Sequence, residues 1–203
     1  MKTETPLDGA GLLTRLLDVI EQDIAPLTSA GVRRGDKIFG AAILRRSDLA
    51  VIVAGTNEET ECPLWHGEVV AIRKFHEIVP ERRPAAKECL FLSTHEPCSL
   101  CLSAITWAGF DNFYYLFSYE DSRDAFAIPH DLEILEKVFG CPNGGYSPAN
   151  DYWRSHDLVE MIEQSAEPER AGWRRRLHGL EELYASLSAI YQSHKGGNEI
   201  PLA

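Results

Sequence analysis

The sequence predicts an α/β domain in which helices cover a partly parallel sheet. Its length of 203 residues, 44% of them hydrophobic, is that of one compact domain with a sizeable core. Patterns typical of helix, strand, helix and strand follow one another between residues 66 and 120, and this alternation indicates parallel strands with helices on the sheet faces. Two β-rich runs before them predict an antiparallel hairpin.

The N-terminal part of the chain predicts a helix and that hairpin. Apolar residues recur at steps of three and four over residues 10–29, which predicts an amphipathic helix ended by Gly31. The runs KIFGAAILRR and LAVIVAG then predict the two strands. A helix over about residues 66–79, which begins with LWHGEVVAI, is ended by Pro80.

The second half predicts further strands and helices. CLFLST (89–94) and NFYYLFSY (112–119) are short apolar runs typical of buried strands. Between them, CSLCLSAITWAG predicts a helix ended by Gly109. Helical patterns also lie in DLEILEKVFG, over residues 153–165, and from Pro168 to about His194, after which KGGNEIPLA is expected to fray.

The net charge of the chain limits the classes of molecule that it is expected to bind. The formal net charge is −11 and the sequence pI is about 5.1, which disfavours nucleic acid and favours a small neutral or cationic substrate. Arg174, Arg175 and Arg176 are consecutive beside Trp173, but glutamates share the same predicted helix. We interpret this arginine triplet as a solvated helix face.

The N-terminus and the cysteines indicate the compartment. Arg15 and Asp18 interrupt the first apolar stretch, which therefore has neither the uninterrupted centre of a signal peptide nor the length of a membrane span. We expect a cytoplasmic protein with no membrane association. Of the five cysteines only Cys98 and Cys101 are close together, which indicates a metal or redox site and not a disulfide framework.

The spacing of Cys98 and Cys101 places both sulfur atoms on one side of a helix. Pro97 marks the start of that helix, where the helix dipole favours the thiolate form of cysteine. A single C-x-x-C motif is compatible with zinc binding, with redox chemistry or with chance.

His66 and Glu68 provide the second half of a possible zinc site. They stand at the start of the preceding helix, and residues 67–97 suffice to finish that helix, form a strand and begin the next helix. Helix starts on one face of a sheet lie side by side, so His66, Cys98 and Cys101 can converge. Three such ligands leave one tetrahedral position open, as in catalytic zinc sites, and Glu68 could serve there as the base.

The pattern H-x-E followed by P-C-x-x-C, present as His66–Glu68 and Pro97–Cys101, resembles the cytidine deaminase-like superfamily of zinc-dependent deaminases. The resemblance spans about residues 35–120 and lies within the branch of guanine, cytosine and tRNA adenosine deaminases. It implies a three-layer α/β/α fold with a five-stranded mixed sheet. It also implies Zn²⁺ on His66, Cys98 and Cys101, with Glu68 as the proton shuttle.

The resemblance also suggests residues that contact the substrate. Asn57 matches an asparagine of the family's substrate loop, although it could equally be a turn residue. Trp107 stands where guanine deaminases have a tryptophan, as a pocket residue or as part of the core. His95 replaces an apolar residue and is either a pocket residue, a neighbour of the zinc ligands or a structural histidine. HGE, with Gly67, resembles the cytosine deaminases.

A second acidic proton shuttle, which guanine deaminases carry in an FDD stretch, is not recognisable. Glu120, Asp121 and Asp131 could each replace it, or could be surface carboxylates. We therefore include Asp131 among the candidate substrate-binding residues.

Three functions follow as hypotheses. The first is zinc-dependent hydrolytic deamination of a small amino-heterocycle such as guanine, cytosine or an aminotriazine, by a homodimer. The second is a nucleoside or tRNA deaminase, and the third is a non-catalytic module held together by zinc. We expect a deaminase domain over residues 1–150 and a C-terminal helical extension, residues 151–203, packed on the same domain.

Overall fold

A computed structural model describes residues 9–203, and it contains the five-stranded mixed sheet that the sequence predicted. The strand order is β2-β1-β3-β4-β5. β1 is antiparallel to both β2 and β3, whereas β3, β4 and β5 are parallel. The strands are β1 (Gly40–Arg45), β2 (Val51–Thr56), β3 (Cys89–His95), β4 (Asn112–Phe117) and β5 (Arg154–Asp157).

Helices cover both faces of this sheet and complete three layers. α3 and α4 lie on one face, where Phe75, Phe91 and Ile105 belong to the core. α1, α2, α7 and α8 lie on the other face, around Leu16, Leu92 and other apolar residues. The helices are α1 (Gly9–Val19), α2 (Ala25–Arg34), α3 (Gly67–Glu77), α4 (Ser99–Trp107), α5 (Tyr119–Asp124), α6 (His130–Lys137), α7 (Leu158–Gln164) and α8 (Glu169–His194).

The N-terminal helix differs from the sequence prediction in its course and its end. A π-helical segment, Ile20–Ile24, separates α1 from α2. The expected end at Gly31 is wrong, because Gly31 is buried within α2 and the helix continues to Arg34. Gly35 ends the helix in a left-handed conformation, with φ of 105°, and its N–H reaches the carbonyl groups of Gly31 and Val32.

The C-terminal extension contributes a strand to the sheet. The helix expected over residues 153–165 begins only at Leu158, because Arg154–Asp157 pairs with β4 as the fifth strand. The Asp157 side chain then accepts hydrogen bonds from the first N–H groups of α7. Residues 151–203 are therefore not purely helical. A boundary at residue 150 would assign β5 to the extension, although β5 pairs with β4 of the preceding domain.

α8 packs on the second face of the sheet, and its helical periodicity is as predicted. Trp173, Leu180 and Tyr184 are among the buried residues that it contributes. Two arginines of the triplet are paired with carboxylates, Arg174 with Glu163 and Arg176 with both Asp18 and Glu21. Among residues 9–203, no helix is both long and apolar enough to cross a membrane.

Gly67 lies where the start of α3 meets the start of β1. A Cβ atom on Gly67 would be 2.7 Å from the Cα atom of Gly40, a separation that real Cβ atoms essentially never show. Gly40 is enclosed as well, because its own Cβ atom would be 2.5 Å from Ile24. Backbone packing therefore accounts for Gly67.

Gly67→Ala is expected to lower the free energy of unfolding by about 1–3 kcal/mol, because the added methyl group must push α3 away from β1. Gly179→Ala is the matched control, since a Cβ atom there meets nothing within 4 Å. In the interior of α8 it should raise stability by up to about 1 kcal/mol. Urea denaturation measures both, and a Gly67→Ala variant as stable as the unmodified protein would contradict the packing argument.

Candidate metal centre and active site

Two helix starts bring the predicted metal ligands together at one edge of the sheet. His66 is the N-cap residue of α3, Cys98 is the N-cap residue of α4, and Cys101 lies in the first turn of α4. α3 follows the carboxyl end of β2 through a loop, and α4 follows the carboxyl end of β3. Because β1 runs antiparallel between these strands, both helices begin at the same sheet edge.

The three side chains form a compact ligand set. One ligand atom from each of His66, Cys98 and Cys101 lies within 4.8 Å of the others, and this is the metal-ligand cluster found among residues 9–203. His66 Nδ1 is 3.4 Å from Cys98 Sγ and 3.7 Å from Cys101 Sγ. One imidazole and two sulfur ligands suit Zn²⁺, and three protein ligands leave the fourth tetrahedral position free for chemistry.

The two thiols share one site and differ in their readiness to ionise. A hydrogen bond from the Cys101 thiol, together with the nearby His66, holds the pKa of Cys98 well below its usual range. Burial and the Cys98 thiolate raise the pKa of Cys101 well above its usual range. Burial disfavours a charged His66, but the contact with Cys98 outweighs it and raises the pKa of His66 to about 9. Such a cluster gains stability when a cation takes the place of these protons.

Glu68 lies beside the ligand set on the first turn of α3, with 3% of its surface exposed. Ser93 Oγ donates a hydrogen bond of 2.7 Å to Glu68 Oε1, and Cys101 Sγ lies 3.3 Å from Oε2. Burial raises the pKa of Glu68. The sequence motifs did not indicate Ser93, although a hydroxyl side chain in the mostly apolar run CLFLST could have suggested a role for it.

A cavity of about 380 Å³ opens onto the ligand set. Its volume is within the range of small-molecule sites. Most of its lining is apolar, and the other side chains that line it are those of Lys37, Glu59, His66, Cys98, Ser99, His130 and Asp131. The apolar lining includes Pro63, Leu64, Leu100, Ile134, Ile200, Pro201 and Leu202. The expectation that the last residues fray is wrong, because residues 200–202 form part of this wall.

Asp131 is the one of the three candidate acidic residues that lines the cavity. It lies in the first turn of α6 and is 8% exposed. Burial, with the charge of Cys98 adding to it, raises the pKa of Asp131 well above its usual range. Asp121 instead accepts hydrogen bonds from Ser118 at the start of α5, and Glu120 is exposed.

Asn57 binds protein groups and does not line the cavity. Its side chain is fully buried. Its Oδ1 accepts a 2.6 Å hydrogen bond from the N–H of Gly67, and its Nδ2 donates a 2.6 Å hydrogen bond to Glu59 Oε2. Asn57 therefore attaches the loop before His66 to the start of α3.

Two other candidates lie away from the cavity. Trp107 is 91% exposed at the end of α4, so the expectation that it lines the pocket or packs in the core is wrong. His95 is 1% exposed within a group of four aromatic rings, those of Phe39, Phe117, Phe126 and Tyr184. Burial lowers the pKa of His95 to about 3, so it is a neutral structural histidine.

Glu96 supports the segment that leads into Cys98. Its carboxylate accepts a 2.6 Å hydrogen bond from the Tyr146 hydroxyl and a 3.1 Å hydrogen bond from the N–H of Tyr119. The Tyr119 hydroxyl donates to the carbonyl of Pro97. Tyr146 lies in a loop, as expected for the run CPNGGYSPAND, but no pattern indicated these contacts.

Comparison with known proteins agrees with this geometry. Residues 24–117 match the family described as the cytidine and deoxycytidylate deaminase zinc-binding region. Over these residues the chain is similar to the cytidine deaminase-like superfamily. The matched segment contains His66, Glu68, Cys98 and Cys101, the residues of the two sequence motifs.

Relatives of this deaminase-like chain include guanine deaminase of Bacillus subtilis (strain 168), which is 35% identical over 89 residues. These residues are 43% of this chain and 54% of that protein, so the chain spans about half the length of its relative. The X-ray structure of guanine deaminase from Bacillus subtilis has 33% identity and a TM-score of 0.43, with 50% and 64% of the two chains covered. A variant protein crystallised with 8-azaguanine shares the fold, with 15% identity, a TM-score of 0.50 and 93% and 87% coverage.

The purified protein is expected to hold about one zinc ion per chain, because one ligand set of this kind is present in residues 9–203. Cys101→Ala should lose the metal, since two ligands hold zinc far more weakly than three. Cys141→Ala is the matched control, because Cys141 lies outside the cluster. Elemental analysis measures both variants, and a full zinc content in Cys101→Ala would contradict the assignment.

Proposed function

We propose that this protein is a zinc-dependent aminohydrolase that deaminates a small amino-heterocycle and releases ammonia. One observation carries the proposal: Glu68 is buried beside the ligand set of His66, Cys98 and Cys101, and two members of that set, His66 and Cys98, line a cavity. A structural zinc site needs no carboxylate at this place. The non-catalytic module is disfavoured for that reason.

The proposed chemistry divides between the metal and Glu68. Zinc bound by this ligand set would activate a water molecule, but two thiolates and an imidazole cancel its charge, so a protein base is needed. Glu68 accepts the water proton as the oxygen bonds to the amino-bearing ring carbon. It then returns this proton to the ring nitrogen, accepts the second proton from the hydroxyl group now on the ring carbon and passes it to the departing amine. The hydroxyl oxygen remains as a carbonyl and the amine leaves as ammonia.

The surroundings of Glu68 suit both proton transfers. Because burial raises its pKa, the protonated and ionised forms are closer in energy than they would be in water. Ser93 binds Oε1 and so keeps Oε2 directed towards the ligand set, where Cys101 Sγ is 3.3 Å away. We therefore assign Ser93 as the residue that orients the Glu68 carboxylate.

Asp131 lines the same cavity, and we propose that it is a second carboxylate of the reaction. A carboxylate is a strong acceptor for ring N–H and amino groups, so Asp131 can hold the substrate edge. Its raised pKa also allows it to carry a proton towards the leaving ammonia. This assignment gives Asp131 the position that the sequence left open among three acidic residues.

The cavity favours a free base as the substrate. Leu64, Leu100 and Ile134 provide apolar contacts for a flat ring, and Asp131 and Glu59 disfavour a phosphate group. The identity with a guanine deaminase supports guanine as the first candidate. Pairing of Arg174 and Arg176 with carboxylates leaves little basic surface there for nucleic acid, which disfavours a tRNA substrate.

We further propose that the protein is a homodimer that uses the outer side of α4. Leu100 and Trp107 are exposed there at 37% and 91%, and exposed aromatic side chains are enriched at protein interfaces. Light scattering on the purified protein measures its assembly state.

Ammonia release from a panel of free bases, nucleosides and aminotriazines tests the proposed function. We expect turnover of at least one free amino-purine, amino-pyrimidine or aminotriazine, with kcat/KM at least tenfold above that of the matching nucleoside. We expect this preference because a cavity of about 380 Å³ limits the size of the substrate and its lining includes the acidic residues Glu59 and Asp131. No ammonia from any member of the panel, with zinc bound, would remove the proposal, and preference for the nucleoside would favour the alternative function.

Glu68→Gln is expected to keep zinc and to lower kcat by at least about 10³-fold, because the amide cannot carry the proton. In the same assay Asp131→Asn should lower kcat/KM by about 10²-fold or more. Glu77→Gln on the same helix is the control, since its exposed side chain lies outside the cavity. A near-normal rate for Glu68→Gln would exclude its role as the proton shuttle.

A further inference from the structure

A buried ion pair lies in the wall of the cavity beside the ligand set. Lys37 Nζ is 2.8 Å from Glu59 Oε1, and the two side chains are only 7% and 1% exposed. Burial of two charges is costly, and a pair of this kind is weak evidence for a gain in stability. No sequence pattern indicated either residue, and the proton transfers proposed for Glu68 and Asp131 use neither of them.

The position of Glu59 relative to His66 distinguishes this ion pair from a purely structural one. The two ring nitrogens of His66 face different partners. Nδ1 faces Cys98 and Cys101, whereas Nε2 lies 3.7 Å from Glu59 Oε1. Nδ1 is therefore the ligand atom, and Nε2 is the atom that the carboxylate influences.

The distance of 3.7 Å between His66 Nε2 and Glu59 Oε1 indicates how the two groups interact. It exceeds the length of a direct N–H···O hydrogen bond, about 2.7–3.2 Å. It is within range of a charge interaction, which is strong at so buried a site. A carboxylate here favours a proton on Nε2, and this tautomer leaves the lone pair of Nδ1 free for a metal.

We propose that Glu59 is a positioning residue that keeps His66 in the tautomer and orientation needed for metal binding, and that Lys37 holds Glu59 in place. The inference rests on the proposed function, because it assigns a role at the same metal centre. Glu59 touches neither the metal nor the reacting atoms in this assignment. It acts through His66.

Contacts around Glu59 support positioning in preference to substrate contact. Its Oε1 binds Lys37, and its Oε2 accepts the 2.6 Å hydrogen bond from Asn57. Asn57 in turn binds the N–H of Gly67, the first residue of α3. Both carboxylate oxygens therefore already have protein partners, and these partners connect Glu59 to the start of the helix that carries His66.

The loop that carries Glu59 is also attached to α3 on its outer side. The Arg73 guanidinium lies 4.3 Å from the centre of the Trp65 ring and 2.7 Å from the Glu58 carboxylate. Arg73 of α3 thus holds Glu58 and Trp65, the residues that directly precede Glu59 and His66. Glu59 is placed on a supported loop, as a positioning residue requires.

Zinc affinity tests the proposal directly. Glu59→Gln retains the shape of the side chain but removes its charge, and we expect the zinc dissociation constant to rise about 10–100-fold. Competition with a chromophoric chelator measures this constant without the need for activity. Glu163→Gln is the matched control, because it removes a carboxylate from an exposed ion pair with Arg174, and it should remain within about twofold of the unmodified protein.

A double variant separates positioning from charge balance. Lys37→Met with Glu59→Gln removes both buried charges and leaves none unpaired. If Glu59 acts on His66, zinc binding in the double variant stays about 10–100-fold weaker than in the unmodified protein. If Glu59 only balances the charge of Lys37, the double variant regains unmodified zinc affinity, and this result would overturn the proposal even where Glu59→Gln alone fails to fold.

Kinetics at saturating zinc give a second criterion. Positioning predicts that Glu59→Gln changes kcat and leaves KM within about threefold of its value. A tenfold rise in KM with unchanged zinc affinity would instead mean that Glu59 binds the substrate, and the proposal would be overturned. Absence of zinc from the unmodified protein would be a failure of the proposed function itself, which the unmodified sample reports separately.

Discussion

The contact of two backbones at Gly40 and Gly67 is the constraint on which the site depends. There the start of α3 lies directly against the start of β1, with no room for a Cβ atom on Gly67. His66 and Glu68 are the neighbours of Gly67, so the contact sets where the imidazole and the carboxylate stand relative to the sheet. A hydrogen bond from Gly67 to Asn57 holds the same point from the loop side.

A second property of this site is that several ionisable side chains are buried in it. Glu68, Glu59, Asp131 and Lys37 are all buried around one cavity, where isolated charges are costly. Each is balanced differently: Ser93 binds Glu68, Lys37 pairs with Glu59, and the raised pKa of Asp131 favours its neutral form. His66, Cys98 and Asp131 line the cavity and have perturbed pKa values, and such groups in a cavity are typical of catalytic sites.

Patterns in the sequence predicted what depends on local spacing. The two half-motifs identified His66, Glu68, Cys98 and Cys101, since the residues of each pair stand within about one helical turn of each other at the start of a helix. Predictions failed where a residue's surroundings come from distant parts of the chain. Trp107 is 91% exposed at the end of α4, and β5 was taken for a helix because only pairing with β4 makes RSHD a strand.

The sequence by itself indicated the sheet between helices, from short-range periodicity, and the metal ligands, from two short motifs that resemble those of zinc-dependent deaminases. Tertiary structure alone decided which carboxylates share the cavity. Asp131 and Glu59 are 72 positions apart, and both line one cavity only after β1, the loop before α3 and the start of α6 have assembled. The same assembly explains why residue 67 is a glycine. The requirement comes from the close approach of Gly67 and Gly40, which are far apart in the sequence, so no local pattern could show it.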